Sequence, residues 1–137
     1  MKRLLAILVI LVLAAADTHL GRTVLLPTIP LPLARWVEVV TDGPDAVQVE
    51  WNLDTSRSGA PGRLTLYAGR VAPAERGLPE PTPLGRFAYR RAALEAAEVG
   101  LRPVQELAWE HDGLHLRVTG QGPWSQDELV ALADSVA

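Results

Sequence analysis

The segment from Leu107 to Val118 constrains the fold of this chain more than any other. It places Asp112-Gly113 between two runs of alternating apolar and polar residues, and Asp-Gly is a strong signal for a two-residue hairpin turn. That turn sets the register, with Glu110 opposite His115. Five large apolar residues then share one face, namely Leu107, Trp109, Leu114, Leu116 and Val118. The segment therefore predicts an antiparallel pair with one buried face.

A capped helix is predicted from Ser125 to Val136. Ser125 followed three residues later by Glu128 is a capping box, and Trp124 packing on Leu129 forms a hydrophobic staple. The apolar residues Leu129, Leu132, Ala133 and Val136 then recur at helical spacing. We expect this stripe to lie on the dry face of the sheet. Ser125 is accordingly a helix cap before it is a nucleophile.

Three further strands are predicted, over Trp36–Val40, Val47–Leu53 and Arg63–Val71, because apolar and β-branched residues alternate with polar ones. A meander is the economical topology for them. Residues Ala72 to Pro83 contain four prolines and are predicted to form a surface loop. The predicted core contains Val49, Trp51, Leu64, Leu66, Leu107, Trp109, Leu116, Val118, Leu129 and Leu132.

The stretch from Arg90 to Val99 carries conflicting signals. Alanine, leucine and glutamate favour a helix ending at Gly100, whereas the preceding Phe87 and Tyr89 favour a strand. Local propensity predicts the helix. Arg90 and its neighbour Arg91 form a basic pair, which is interpreted either as a grip on an anionic group or, more simply, as solvated surface charge.

The N-terminus has the pattern of an export signal. Lys2 and Arg3 precede the apolar run Leu4–Leu13, and three alanines up to Ala16 form a small-residue cleavage site. An uncleaved membrane anchor is the alternative, although a helix ending at Ala16 is shorter than a hydrocarbon core. Both readings place the working domain outside the cytoplasm.

Three regions follow from this reading. Residues 1–16 form a signal peptide or membrane anchor. Residues 17–35 form a tether, because the prolines of Pro27–Pro32 disfavour helix and sheet. Residues 36–137 form a single extracytoplasmic domain.

Composition removes several classes of chemistry. The chain has no cysteine, which leaves no disulfide framework, thiol nucleophile or lipidation cysteine. Removal of Lys2 and Arg3 with the signal lowers the basic count from 13 to 11 against 16 acidic residues, a formal charge of −5. Nucleic acid is therefore not an expected partner. Lys2 is the only lysine, so a mature chain would lack a Schiff-base amine.

No catalytic or metal site is predicted, and no cofactor. His111, His115, Glu110 and Asp112 superficially resemble a ligand cluster, but the hairpin register points the two histidines to opposite faces. A hydrolase using carboxylates such as Glu50 and Glu110 is the enzyme alternative. Those two residues alternate with buried ones as any amphipathic strand requires, so their spacing adds no support.

The C-terminal third, Leu107 to Val136, resembles the end of an uncharacterised bacterial exported domain found behind anti-sigma-factor or membrane-anchor segments. The resemblance rests on Leu-Ala-Trp-Glu-His-Asp-Gly-Leu-His-Leu-Arg-Val-Thr-Gly, then Ser-Gln-Asp-Glu-Leu and Leu-Ala-Asp-Ser-Val. It implies an architecture similar to the curved half-barrel of periplasmic lipoprotein carriers and sigma-factor regulators. It also implies that the stretch from Arg90 is a strand. The chain departs from the pattern in its short first half and its missing lipidation cysteine.

The predicted fold class is α+β, with a curved antiparallel sheet of about five or six strands packed against the C-terminal helix. The predicted function is a non-catalytic extracytoplasmic module that binds a protein partner or an apolar ligand at the sheet, or senses envelope state as the resemblance implies. A membrane-anchored structural accessory subunit is the alternative, ahead of the hydrolase. Contact with the membrane is expected through residues 4–16 if the signal is not cleaved.

Overall fold

A computed structural model describes residues 26–28, 36–41, 45–52, 62–73, 79–96, 100–122 and 124–137. Seven strands and one helix lie within these residues. They are β1 (Trp36–Thr41), β2 (Ala46–Asn52), β3 (Arg63–Gly69), β4 (Thr82–Leu84), β5 (Phe87–Ala96), β6 (Gly100–His111), β7 (Leu114–Gln121) and α1 (Gln126–Val136). The predicted N-terminal signal or anchor helix lies outside the described residues. Among the described residues, no helix is long and apolar enough to cross a membrane.

The strands form one antiparallel sheet in the order β1-β2-β3-β7-β6-β5-β4. Two meanders, β1 to β3 and β4 to β7, meet where β3 pairs with β7. The predicted α+β class, with an antiparallel sheet and a C-terminal helix, is confirmed. The sheet has seven strands rather than five or six, because Thr82–Leu84 adds a short edge strand inside the predicted proline loop. An edge strand tolerates Pro83 because half of its backbone groups need no ladder partner.

The β6–β7 hairpin has the predicted turn and register. Asp112 and Gly113 both have positive φ, 49° and 75°, as the favoured two-residue hairpin turn requires. Glu110 pairs with His115 and Trp109 pairs with Leu116 across the strands. We call the side of the sheet that carries Trp109 and Leu116 the helix face, and the opposite side the polar face.

Helix α1 begins and packs as predicted. The Ser125 hydroxyl accepts a hydrogen bond from the Glu128 backbone N–H at 3.1 Å. The buried residues of the helix are the predicted stripe of Leu129, Leu132, Ala133 and Val136. Leu129 lies directly over Gly120 on the helix face, so close that a Cβ at Gly120 would be 2.8 Å from its Cδ2.

The core lies between α1 and the helix face. All ten residues predicted for the core are buried in this one cluster. Phe87 and Trp109 meet edge to face, with ring centroids 5.2 Å apart. Gln105 is the polar exception on this face: its amide donates to the Trp124 carbonyl at 2.5 Å, and it accepts from the Tyr89 hydroxyl at 2.8 Å.

The predicted helix over Arg90 to Val99 is wrong. Residues up to Ala96 belong to β5, which pairs with β6 from Ala88 opposite Ala108 to Ala96 opposite Gly100. Helix propensities differ among ordinary residues by less than about 0.7 kcal/mol each. A continuous ladder with β6 outweighs that preference, and the strand implied by the family resemblance is present. Residues 97–99 lie outside the described residues.

Two contacts tie the C-terminal turn of α1 to other segments. The Arg86 guanidinium reaches the Asp134 carboxylate at 3.0 Å and stacks over the Phe87 ring at 4.7 Å. Thr28 donates through its backbone N–H to the Ser135 hydroxyl and through its own hydroxyl to the Ser135 carbonyl, each at 3.1 Å. Thr28 belongs to the predicted tether, of which residues 26–28 are described.

Candidate functional site

The polar face collects the charged residues of the central strands. Strand register sets Glu50, Thr65, Thr119, Glu106 and Arg90 in one row across five strands, β2, β3, β7, β6 and β5. The row follows from alternation, because each of these residues lies between neighbours that point to the helix face. Charge is therefore concentrated on the side of the sheet that α1 leaves uncovered.

Arg90 and Glu106 form a buried ion pair in this row. Arg90 Nη1 lies 3.4 Å from Glu106 Oε1, and the side chains retain only 12% and 5% of their exposure. A carboxylate removed from water needs a cation and hydrogen-bond donors beside it, and the guanidinium supplies both. The pair depends on β5 being a strand, because the two residues lie 16 positions apart in the sequence.

The basic pair Arg90-Arg91 is divided by the strand. Arg90 is opposite Glu106 on the polar face, whereas Arg91 is exposed and opposite Gln105 on the helix side. Consecutive strand residues point to opposite faces, so the two guanidiniums do not converge on one anion. The interpretation of this pair as a joint grip on an anionic group is wrong.

A cleft lies on the polar face beside the ion pair. Its floor contains Ala88 and Ala108, which are directly opposite each other in β5 and β6. Its roof is formed by Ala72, Pro73 and Pro81 from the connection between β3 and β4. The cleft has a volume of about 290 Å³, at the lower end of the range for small-molecule sites.

The roof results from the sheet order. Strands β7, β6 and β5 separate β3 in the middle of the sheet from β4 at its edge, and Ala72, Pro73 and Pro81, near the two ends of the β3–β4 connection, line the cleft. The cleft lies between these residues and strands whose floor residues are alanines. The described part of the predicted proline-rich loop thus contributes apolar surface to the site.

The start of the roof is fixed by Tyr67. This residue is buried on the polar face, and its hydroxyl donates to the Val71 carbonyl at 2.7 Å. The Arg117 guanidinium lies over its ring at 5.3 Å. Gly69 is required beneath it, because a Cβ there would collide with the Tyr67 hydroxyl. The backbone that enters the roof is therefore held in place.

The other end of the roof joins the sheet directly. Pro81 precedes β4, whose Pro83 is opposite Ala88, and the Thr82 hydroxyl donates to the Tyr89 carbonyl at 3.3 Å. Both described ends of the connection are thus joined to the sheet.

Charged residues also lie at the outer end of the cleft. His115 Nδ1 is 3.4 Å from Glu110 Oε1, as the hairpin register predicts, and both residues line the cleft. Glu110 keeps 74% of its side-chain exposure and His115 keeps 32%, so this pair belongs to the rim. His111 lies at the turn, 3.4 Å from Asp112, on the other side of the strand.

The described residues contain no group of three or more histidine, cysteine, aspartate or glutamate side chains that could hold a metal ion. The carboxylates named for a hydrolase, Glu50 and Glu110, share the polar face but are far apart. Glu50 aligns with Glu106, three strands away, which corresponds to roughly 14 Å. Glu110 is four residues further along β6, about another 13 Å. Paired-carboxylate hydrolysis uses separations of about 5–10 Å.

Sequence reasoning named Arg90 only as half of a basic pair, and it missed Glu106 and the two floor alanines. A signal for them exists in the alternation of Phe87 and Tyr89 with Ala88 and Arg90. Read as a strand, that alternation places Arg90 and Ala88 together on the face opposite the aromatic rings.

Comparison with known proteins found no match to this chain among family models, curated proteins or solved structures. The resemblance of the C-terminal third to a bacterial exported domain stays a prediction, and the cleft stands on its own geometry.

Proposed function

We propose that this protein is a non-catalytic extracytoplasmic binding module whose ligand occupies the cleft on the polar face. The observation that supports it most is a recess with an alanine floor, an attached roof and a buried ion pair in its wall. Sites for small molecules combine an apolar lining with a few well-placed polar groups in this way.

The buried ion pair supports a binding role more than a purely stabilising one. Removing two charges from water costs free energy that their attraction often fails to recover, so apolar residues of similar size would serve stability as well. Arg90 and Glu106 instead line a cleft. There the guanidinium and the carboxylate are held at the edge of the space that a ligand would occupy.

The location outside the cytoplasm rests on the N-terminal sequence. Lys2, Arg3, the apolar run and the alanines before Asp17 form the export pattern. The role of a membrane-anchored accessory subunit is favoured by the two hydrogen bonds between Thr28 and Ser135. If residues 1–16 stay in the membrane, residues 17–25 extend at most about 30 Å, which holds the domain near the membrane surface.

Intact mass of the protein recovered from membrane and soluble extracytoplasmic fractions tests the location. A soluble species beginning at Asp17 supports a diffusible binding module. A full-length species in the membrane supports the anchored subunit. Recovery of the full-length chain from the cytoplasm would overturn both.

Thermal-shift screening of small polar molecules against the full chain tests the site. Ala108→Phe fills the floor of the cleft, and Thr65→Phe adds the same ring to the same face, two strands from Glu106 and outside the cleft lining. Ligands should raise the melting temperature of the wild type and of Thr65→Phe but not of Ala108→Phe. Equal shifts in all three proteins, or turnover of a screened molecule, would contradict the proposal.

A further inference from the structure

We infer that the cleft recognises a neutral amide carrying one N–H and a small apolar substituent, such as an acetamido group. This inference rests on the proposed function of the same site. Its basis is the pairing of one donor residue, Arg90, with one acceptor residue, Glu106, beside a floor of two alanine methyl groups.

The donor and acceptor chemistry of the pair matches that of an amide. A guanidinium has N–H donors and no acceptor, whereas an ionised carboxylate has acceptors and no donor. An amide has one strong acceptor, its carbonyl, and one donor, its N–H. Its carbonyl therefore accepts from Arg90 while its N–H donates to Glu106, and each of these bonds is strengthened by the charge on the protein side.

The charge pattern of the cleft disfavours ions. An anion approaching Arg90 also meets Glu106, only 3.4 Å from the guanidinium, and a cation approaching Glu106 meets Arg90. In a site removed from water, repulsion between like charges at such distances is strong. On the rim, the Glu110 carboxylate lies beside His115 and meets an approaching anion first. A neutral group with aligned dipoles avoids both penalties.

The shape of the cleft favours a small substituent. Ala88 and Ala108 contribute only methyl groups to the floor, and the rings of Pro73 and Pro81 line the cleft as well. None of these four side chains can hydrogen-bond, so an apolar group gains from leaving water there. The volume of about 290 Å³ suits a small group or one end of a larger molecule.

Acetamido chemistry has two sources, N-acetylated amino sugars and acylated or backbone peptide units. Both sources present the same acetamido group to the cleft, so the experiment must distinguish between them. N-acetylglucosamine represents the first source and N-acetylalanine methylamide the second.

The test uses the full chain with carbon-13 in its alanine methyl groups and follows the signals of Ala88 and Ala108 by NMR. Ala133, a residue of α1 that is buried against the helix face, is the internal control. N-methylacetamide should shift both cleft alanines and leave Ala133 unchanged. Methyl acetate has nearly the same shape but lacks the N–H donor. Its affinity should be lower by a factor of roughly ten or more. Acetate and methylammonium should bind more weakly still.

A double variant, Arg90→Met with Glu106→Leu, removes both charges while retaining side-chain volume. It should lose the preference of N-methylacetamide over methyl acetate. Asp127→Asn removes an exposed charge from α1, on the other side of the sheet, and should keep that preference. The wild-type ligand series remains decisive if the double variant does not fold.

The outcomes separate this inference from the proposed function. If methyl acetate or a charged probe matches N-methylacetamide at Ala88 and Ala108, the amide inference fails and the binding site stands. If no probe, including the two larger acetamido compounds, moves either alanine, both fail. A stronger response to one larger compound assigns the source.

Discussion

The two faces of the same sheet show how differently burial can be used. On the helix face, large apolar side chains from β2, β3, β5, β6 and β7 pack against α1 in one cluster. On the polar face, the same strands present a buried ion pair and a cleft lined in part by residues of the β3–β4 connection. The first arrangement stabilises the fold through buried area, and the second, under the proposed function, places a few specific groups beside a ligand.

Each face contains buried polar groups, and their roles differ. Gln105 on the helix face is bonded on both sides, to the Tyr89 hydroxyl and to the Trp124 carbonyl just before α1. Those bonds connect β5, β6 and the start of the helix. Arg90 and Glu106 join two neighbouring strands that the backbone ladder already joins, and they line a recess. The comparison indicates a structural role for the hydrogen bonds of Gln105 and, under the proposed function, a recognition role for Arg90 and Glu106.

The largest expected effect comes from the helix face. Leu129→Ala removes a fully buried side chain over Gly120 and should lower the free energy of unfolding by about 2–5 kcal/mol. Val130→Ala, at a half-buried position next to it, should cost clearly less. Chemical denaturation of the two variants measures both. Equal losses would mean that the helix does not pack on the sheet by the Leu129 stripe.

The ion pair on the polar face should behave differently from an apolar contact. Glu106→Leu leaves Arg90 beside an apolar group and should cost about 2–3 kcal/mol, less than a fully buried pair because Arg90 keeps 12% exposure. Adding Arg90→Met should restore most of that stability. Chemical denaturation of the wild type, Glu106→Leu, Arg90→Met and the double variant measures the four free energies of unfolding that this comparison needs. If the double variant is as unstable as Glu106→Leu alone, apolar replacement of both charges restores nothing, the pair contributes net stability and the recognition argument weakens.

The helix face was predictable because its signals are local. The Asp112-Gly113 turn fixes the hairpin register within a few residues, and Ser125 with Glu128 marks the helix start. Alternation then assigns the core without knowledge of which strands are neighbours. No tertiary information was needed for the ten core residues.

The polar face required information that one local segment does not contain. Propensity placed Arg90 in a helix, and only the ladder with β6 brings it to Glu106, 16 positions away. The cleft requires in addition the jump from β3 in the middle of the sheet to β4 at its edge. Connections of this kind depend on global strand order, which alternation does not specify.

The smallest effect is expected at Glu110 on the rim of the cleft. Comparing it with Glu106 tests whether burial makes one carboxylate more important for stability than the other. Glu110 lies four residues from Glu106 on the same strand and face, but its side chain keeps 74% of its exposure. Exposed ion pairs contribute less than about 1 kcal/mol and are screened by salt. Glu110→Gln should therefore change the free energy of unfolding by less than about 1 kcal/mol, and added salt should reduce even that difference. Chemical denaturation at low and high salt measures the effect. A loss of unfolding free energy as large as that of Glu106→Leu would mean that charge on the polar face, rather than the burial of that charge, controls stability.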